Sequence, residues 1–166
     1  MKQTLALSLI VLVAAAASAS AQTKFTMSGK CAKPDVQQAV PAADTAGHVM
    51  VLNQGKCAPV KAAEIGGSAS KEAAFAEHGE FTGNNGKVQG MYVDTLANGE
   101  KVYYRYQSTA VMTNGALQSM KNTWQIVGGS AKVKGIKGSG TCTGKGNADG
   151  TLDFECEGEY TMPAAK

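Results

Sequence analysis

The residues of this 166-residue chain best suited to chemistry are a few aromatic rings and one amide. Tyr104 and Tyr106 are two positions apart, and Asn122 and Trp124 repeat that spacing farther along the chain. Alternate residues of a β-strand point to the same face of a sheet, so each pair presents its side chains together. Hydroxyls and an amide among rings can orient a small apolar molecule, although aromatic side chains also serve as ordinary core packing.

Neither histidine, His48 or His78, has a partner at the spacing of a metal site or a catalytic pair. An isolated histidine near a strand end is usually structural. Glu77 and Glu80 flank His78, but strand alternation does not place both glutamates on its face. The chain also lacks a nucleophile elbow, a phosphate-binding loop and a metalloprotease motif, so we assign no catalytic residue and expect neither a metal nor a cofactor.

The four cysteines, Cys31, Cys57, Cys142 and Cys156, indicate an oxidising compartment and two disulfides. Four cysteines allow three pairings. Chain order and the pairing of the last hairpin favour Cys31–Cys57 and Cys142–Cys156. A four-cysteine zinc site is the alternative, but the chain has no Cys-x-x-Cys knuckle.

Residues 1–21 have the features of a secretory signal peptide. A lysine follows the initial methionine, an apolar run extends over 5–17, and a small-x-small cleavage site precedes residue 22. Residues 22–166 are then predicted to form one β-barrel domain that is periplasmic or secreted. No other apolar run is long enough to span a membrane. Loss of the leader's single lysine changes the formal net charge from +3 to +2, too little to favour nucleic acid.

Twenty glycines, few aromatics and no sustained 3.6-residue periodicity predict an all-β fold. Alternating runs bounded by turn residues predict seven strands, and 72–81 is an eighth, although its sequence also fits a short helix. Residues 33–47, with two prolines, are predicted to form a loop. The fold class predicted is a single eight-stranded, mostly antiparallel β-barrel stapled by disulfides, with an interior that is filled or holds one small ligand.

Asn-Gly at 98–99 predicts a two-residue hairpin turn, because both residues accept positive φ. This turn would place Met91 opposite Tyr106, on the inward face. The residues that would then point outward are Tyr92, Asp94 and Arg105.

Asn-Gly at 114–115 predicts a second hairpin with a three-residue loop over 113–115. A two-residue turn would move Trp124 to the polar face, because a one-residue slip exchanges the two faces of a strand. With the longer loop, Trp124 lies opposite Tyr104, and Asn122 joins the same face.

The last hairpin is predicted to have a three-residue loop over 148–150. That loop places Cys142 opposite Cys156, as a cross-strand disulfide requires. Phe154 shares their face. The candidate ligand-binding residues on the inward faces are therefore Tyr104, Tyr106, Trp124, Asn122, Met91 and Phe154.

The glycine-rich segment over 128–138 resembles the Gly-Gly-Thr-Gly-x-aromatic corner of allene oxide cyclase-like and dirigent-type β-barrels. It is also similar to a group of small secreted bacterial proteins with that barrel. The resemblance implies an eight-stranded, mostly antiparallel barrel around an apolar cavity. Ala131 replaces a glycine of the corner and Val133 replaces its aromatic residue. No position matches the catalytic residues of the plant enzymes, so no catalytic role is transferred.

The function expected from these features is the binding of a small hydrophobic molecule inside an exported barrel, without catalysis. One alternative is an isomerase- or cyclase-type enzyme that uses the cavity, and another is a structural or partner-binding barrel with a filled interior. A cavity of about 300 Å³ or more, lined by Tyr104, Tyr106 and Trp124, would support the first two. Assembly into a homo-oligomer is left open.

Overall fold

The computed structural model describes residues 22–163, so the predicted signal peptide at 1–21 lies outside the described residues. One 3-10 turn, Ala131–Val133, follows the eighth strand. No helix in the described part of the chain is long and apolar enough to cross a membrane. The strands in that part are β1 (Gln22–Cys31), β2 (Val36–Pro41), β3 (His48–Lys61), β4 (Glu64–Ile65), β5 (Ser68–Thr82), β6 (Asn85–Leu96), β7 (Lys101–Thr113), β8 (Ala116–Gly129), β9 (Lys137–Gly146) and β10 (Leu152–Thr161).

Eight of these strands form a closed antiparallel barrel, which confirms the predicted fold class. The ring runs β1-β10-β9-β8-β7-β6-β5-β3 and closes where β3 pairs with β1. β5 contains the ambiguous 72–81 segment, which is a strand. β2 and β4 lie outside the ring, paired with β3 and β5.

The prediction of a loop over 33–47 is wrong, because Val36–Pro41 pairs with β3 as β2. Every residue of β2 is exposed. A strand that buries neither face has no hydrophobic alternation, so its sequence carries none of the signal used to find strands.

One end of the barrel is sealed by aliphatic side chains that are at most 2% exposed. β7 and β8 are most deeply buried next to this end, and their inward residues become partly exposed towards the opposite end. The barrel is therefore packed at one end and less filled at the other. The sealing side chains are Ile65, Leu96, Val102, Val133 and Ile136.

Glycines make room for the largest ring of the core. Gly140 pairs with Gly158, as predicted, and the ring of Trp124 lies against both. A Cβ at either glycine would overlap that ring. Bare backbone therefore allows an indole to lie flat against the wall of a narrow barrel.

The hairpin between β6 and β7 differs from the prediction. Its loop has three residues, 97–99, and the Leu96 amide donates to the Glu100 carbonyl at 2.8 Å. Gly99 has a φ of 84°, whereas the Asn98 side chain accepts a hydrogen bond from the Glu100 amide at 3.0 Å. The asparagine thus uses its side chain to stabilise the longer loop instead of adopting positive φ.

The pairing of β7 with β8 differs by two residues from the prediction. The turn has two residues, Asn114 and Gly115, with φ of 52° and 78°. An extra residue in β8, Gln118, then shifts the register by one and returns Trp124 to the inward face. Trp124 lies opposite Tyr106, not Tyr104. The face was predicted correctly, but the register was wrong.

The last hairpin and both disulfides match the prediction. The Asn147 amide donates to the Thr151 carbonyl at 2.8 Å, which leaves a three-residue loop. Disulfides join Cys31 to Cys57 and Cys142 to Cys156, each between directly paired residues of neighbouring strands. Two disulfides indicate a non-reducing environment.

Candidate ligand-binding site

A cavity of about 150 Å³ occupies the less filled end of the barrel. Five of the six candidate residues line it: Tyr104, Tyr106, Trp124, Asn122 and Phe154. Further rings come from Phe25, Phe75 and Tyr92. The cavity is smaller than the roughly 300 Å³ typical of pockets for drug-sized ligands. A cavity of 150 Å³ is nevertheless large enough for a benzene-sized molecule.

The placement of Met91 on the inward face is wrong. Met91 lies opposite Arg105, which is exposed on the outer surface, and it does not line the cavity. Tyr92 takes the inward place, opposite Tyr104, and Asp94 also points inward, opposite Val102. The three-residue hairpin loop causes this exchange, because a register change of one residue swaps the two faces of β6.

The aromatic rings of the cavity wall contact one another in edge-to-face and tilted arrangements. The centroids of Tyr104 and Trp124 are 5.5 Å apart with an interplanar angle of 81°. Tyr92 meets Tyr104 at 5.9 Å and 77°, and Phe25 meets Trp124 at 5.7 Å. Such offset contacts add stability beyond the burial of apolar area. They hold the wall in one arrangement before any molecule enters.

Of the described residues that line the cavity, Glu77 is the one with a charged side chain. It is partly buried on β5, and both carboxylate oxygens accept hydrogen bonds. The Tyr106 hydroxyl donates to Oε2 at 2.6 Å, and the Asn53 amide nitrogen donates to Oε1 at 3.0 Å. A carboxylate is therefore held at a defined position in a mostly apolar space.

Glu77 was not among the predicted site residues, although a signal for it exists. Phe75, Gly79 and Phe81 alternate with it along β5 and share its face. If the segment is a strand, Glu77 shares the face of these apolar residues, and its carboxylate therefore points inward.

Two polar atoms at the cavity have no hydrogen-bond partner among the described residues. They are the Tyr104 hydroxyl and the Asn122 Oδ1 atom, and both are buried. An unsatisfied buried polar group costs about 1–3 kcal/mol. These buried atoms therefore have hydrogen-bonding capacity that the described part of the protein leaves unused.

Burial keeps the tyrosine hydroxyls of the cavity protonated. Desolvation raises the pKa of Tyr92 and of Tyr104, and the nearby Asp94 charge adds to the effect. Desolvation also raises the pKa of Tyr106, followed by the charge of Glu77. All three side chains thus remain neutral hydrogen-bonding groups at physiological pH.

Asp94 lies beneath the aromatic wall and is 2% exposed. It accepts a hydrogen bond from the Ser70 hydroxyl. Desolvation raises the pKa of Asp94 to about 6, while the hydrogen bond from Ser70 lowers it. Its carboxyl group therefore titrates near neutral pH, although it does not line the cavity.

The two histidines lie away from the cavity lining. His48 Nδ1 is 2.7 Å from Asp44 Oδ1, and its Nε2 is 4.0 Å from Glu80. His78 is exposed, on the outer face of β5 opposite Leu52. Within 22–163 no group of three His, Cys, Asp or Glu side chains is arranged to hold a metal ion.

Comparison with known proteins leaves the family of this chain undecided. No family model matches the chain, and no curated protein matches it. The resemblance to allene oxide cyclase-like and dirigent-type barrels therefore stays a prediction. Because one fold can serve many functions, the cavity and not the fold indicates the function.

Proposed function

We propose that this protein binds a small, largely apolar molecule, about one aromatic ring in size, inside its barrel. The observation that carries the proposal is the aromatic-walled cavity of about 150 Å³. A barrel with a purely structural role gains stability by filling such a space, because empty volume in a core is destabilising. The Glu77 carboxylate, held by Tyr106 and Asn53, supplies the polar contact that orients the molecule.

We also propose that the protein acts in the periplasm or as a secreted protein. The features of a secretory signal peptide at 1–21 and the two disulfides support this location. In such a compartment, a barrel with an internal site acts as a carrier or receptor for a small molecule that diffuses in.

Binding can be tested with a reporter that the protein already contains. Trp124 is the one tryptophan of the chain and lines the cavity. We expect benzyl alcohol to change its fluorescence in a saturable way, whereas a ligand of three fused rings leaves the emission unchanged. If no single-ring compound gives a saturable change, the proposed function is wrong.

A matched pair of variants separates binding in the cavity from binding at the surface. Met120→Phe adds a ring to the cavity lining, whereas Val127→Phe adds one at a residue of the same strand that is 49% exposed. We expect Met120→Phe to weaken benzyl alcohol binding at least about tenfold, because the added ring takes up part of the space. Val127→Phe should bind as the unsubstituted protein does.

Catalysis is a second candidate function, favoured by one observation. Glu77 faces the cavity with the Tyr106 hydroxyl 2.6 Å away, a geometry that suits proton transfer to and from a bound molecule. An isomerase of this kind would exchange a carbon-bound hydrogen of its substrate with solvent. Incubation of a bound compound in D₂O, followed by mass spectrometry, tests this: deuterium uptake that Glu77→Gln abolishes supports catalysis, and no uptake leaves binding alone.

A further inference from the structure

We infer that the molecule held in the cavity is a small amine, with a protonated nitrogen beside Glu77 and an apolar ring against the aromatic wall. This inference rests on the proposed function, because it names the chemical class of the ligand. The charge of the interior, the hydrogen bonds of Glu77 and the character of the wall each point to it.

Among residues 22–163, the interior carries negative charge and no positive charge. None of the residues that line the cavity is a lysine, an arginine or a histidine. Besides Glu77, the buried Asp94 points inward below the aromatic wall. An anionic ligand would lose its hydration and meet like charges, whereas a cation would meet opposite ones.

Glu77 has hydrogen-bond acceptor positions that its two donors leave unused. Its two oxygens offer about four acceptor positions, and two of these are taken by Tyr106 and Asn53. Both donors are neutral, and no lysine, arginine or histidine of the described chain forms an ion pair with Glu77. A partly buried carboxylate without a cation is a site at which a ligand ammonium group gains a charge-assisted hydrogen bond.

The two buried atoms without a hydrogen-bond partner do not favour an anion. Asn122 Oδ1 is an acceptor, and the Tyr104 oxygen can accept as well as donate. An ammonium group has three donors and no acceptor, so it is complementary to the free acceptor positions of Glu77. A carboxylate or phosphate would find no cationic partner there.

The aromatic wall also favours a cation over a neutral molecule of the same shape. Rings with a negative face attract an ammonium group within about 6 Å of their centroids. Seven aromatic side chains line the cavity, and their edge-to-face contacts turn neighbouring rings in different directions. The rings are Phe25, Phe75, Tyr92, Tyr104, Tyr106, Trp124 and Phe154.

Three probes of nearly equal shape test the inference: benzylamine, benzyl alcohol and benzoate at pH 7.5, followed by Trp124 fluorescence and by chemical-shift changes. We expect benzylamine to bind at least about tenfold more tightly than benzyl alcohol, and benzoate more weakly than either. Glu77→Gln should weaken benzylamine at least about tenfold more than it weakens benzyl alcohol, because only the amine loses a charged partner. Glu80→Gln is the matched control, because Glu80 is exposed on the outer face of the same strand.

The outcomes distinguish the inference from the function on which it rests. If benzyl alcohol or benzoate binds as tightly as benzylamine, or Glu77→Gln weakens the amine and the alcohol equally, the amine inference is wrong and the binding function stands. If none of the three probes binds, the binding function itself is wrong. The ranking of the probes on the unsubstituted protein decides the matter even if Glu77→Gln does not fold.

Discussion

Replacement of Asp94 by asparagine should remove a pH-dependent loss of stability. Asp94 is 2% exposed, between the aliphatic seal and the aromatic wall, and its carboxylate has no cationic partner in the described chain. Burial raises the pKa of Asp94 from 3.8 to about 6. At about 1.4 kcal/mol per pH unit, this difference makes the ionised carboxyl cost about 3 kcal/mol of folding free energy.

The sign follows from proton binding. Well below pH 3.8 the carboxyl is protonated in both the folded and the unfolded chain, so it costs nothing. Between pH 3.8 and about pH 6 the folded protein retains the proton that the unfolded chain has lost, and stability falls as the pH rises. Well above pH 6 the full cost is present and no longer changes.

Urea unfolding of the two proteins at several values from about pH 3 to about pH 8 measures this effect. The difference in unfolding free energy between Asp94→Asn and the unsubstituted protein should shift by about 3 kcal/mol in favour of the variant as the pH rises. Other titrating groups cancel in that difference. Asp35→Asn, at an exposed position, is the matched control. A constant difference for Asp94→Asn would refute the reasoning.

Three further predictions concern the cavity wall and the disulfides. Gly158→Ala should cost about 1–3 kcal/mol and shift Trp124 emission, because the added methyl group overlaps the ring, whereas Gly128→Ala should change little. Tyr104→Phe should raise the unfolding free energy by about 1 kcal/mol by removing an unsatisfied hydroxyl, while Tyr106→Phe should lower it by a similar amount or more by breaking a bond to a carboxylate. Removal of the disulfide that spans 26 residues should cost about 3.5 kcal/mol, and removal of the one that spans 14 about 3 kcal/mol. Urea unfolding tests all of these changes. Equal effects of the two glycine substitutions, or of the two tyrosine substitutions, would contradict the corresponding prediction.

The sequence by itself determined the fold class, the disulfide pairing and the last hairpin. The alternation of apolar and polar residues between glycine-containing turns is a property of each segment by itself. It therefore does not depend on how the strands are arranged in the sheet. At the last hairpin two independent constraints agree, because the same three-residue loop that fits Gly150 also brings Cys142 opposite Cys156. Because these two constraints agree, the register of this hairpin follows without any contact to the rest of the barrel.

The registers of the two middle hairpins were decided by the tertiary structure. Asn-Gly is compatible with a two-residue turn and with a three-residue loop, and each of the two hairpins uses the form that was not predicted for it. A strand in a closed barrel pairs on both edges, so its register must suit both neighbours at once. The bulge at Gln118 resolves that conflict, and no pattern within β8 alone reveals it.

The cavity and its carboxylate also depended on the whole barrel. The sequence indicated that Tyr104, Tyr106, Asn122, Trp124 and Phe154 face inward, and the structure brings all five to one cavity. Two things required the closed structure: the exchange of Met91 for Tyr92, and the meeting of Glu77 with a tyrosine two strands away. Alternation determines which residues share a face, but only closure of the sheet determines what they face across the interior.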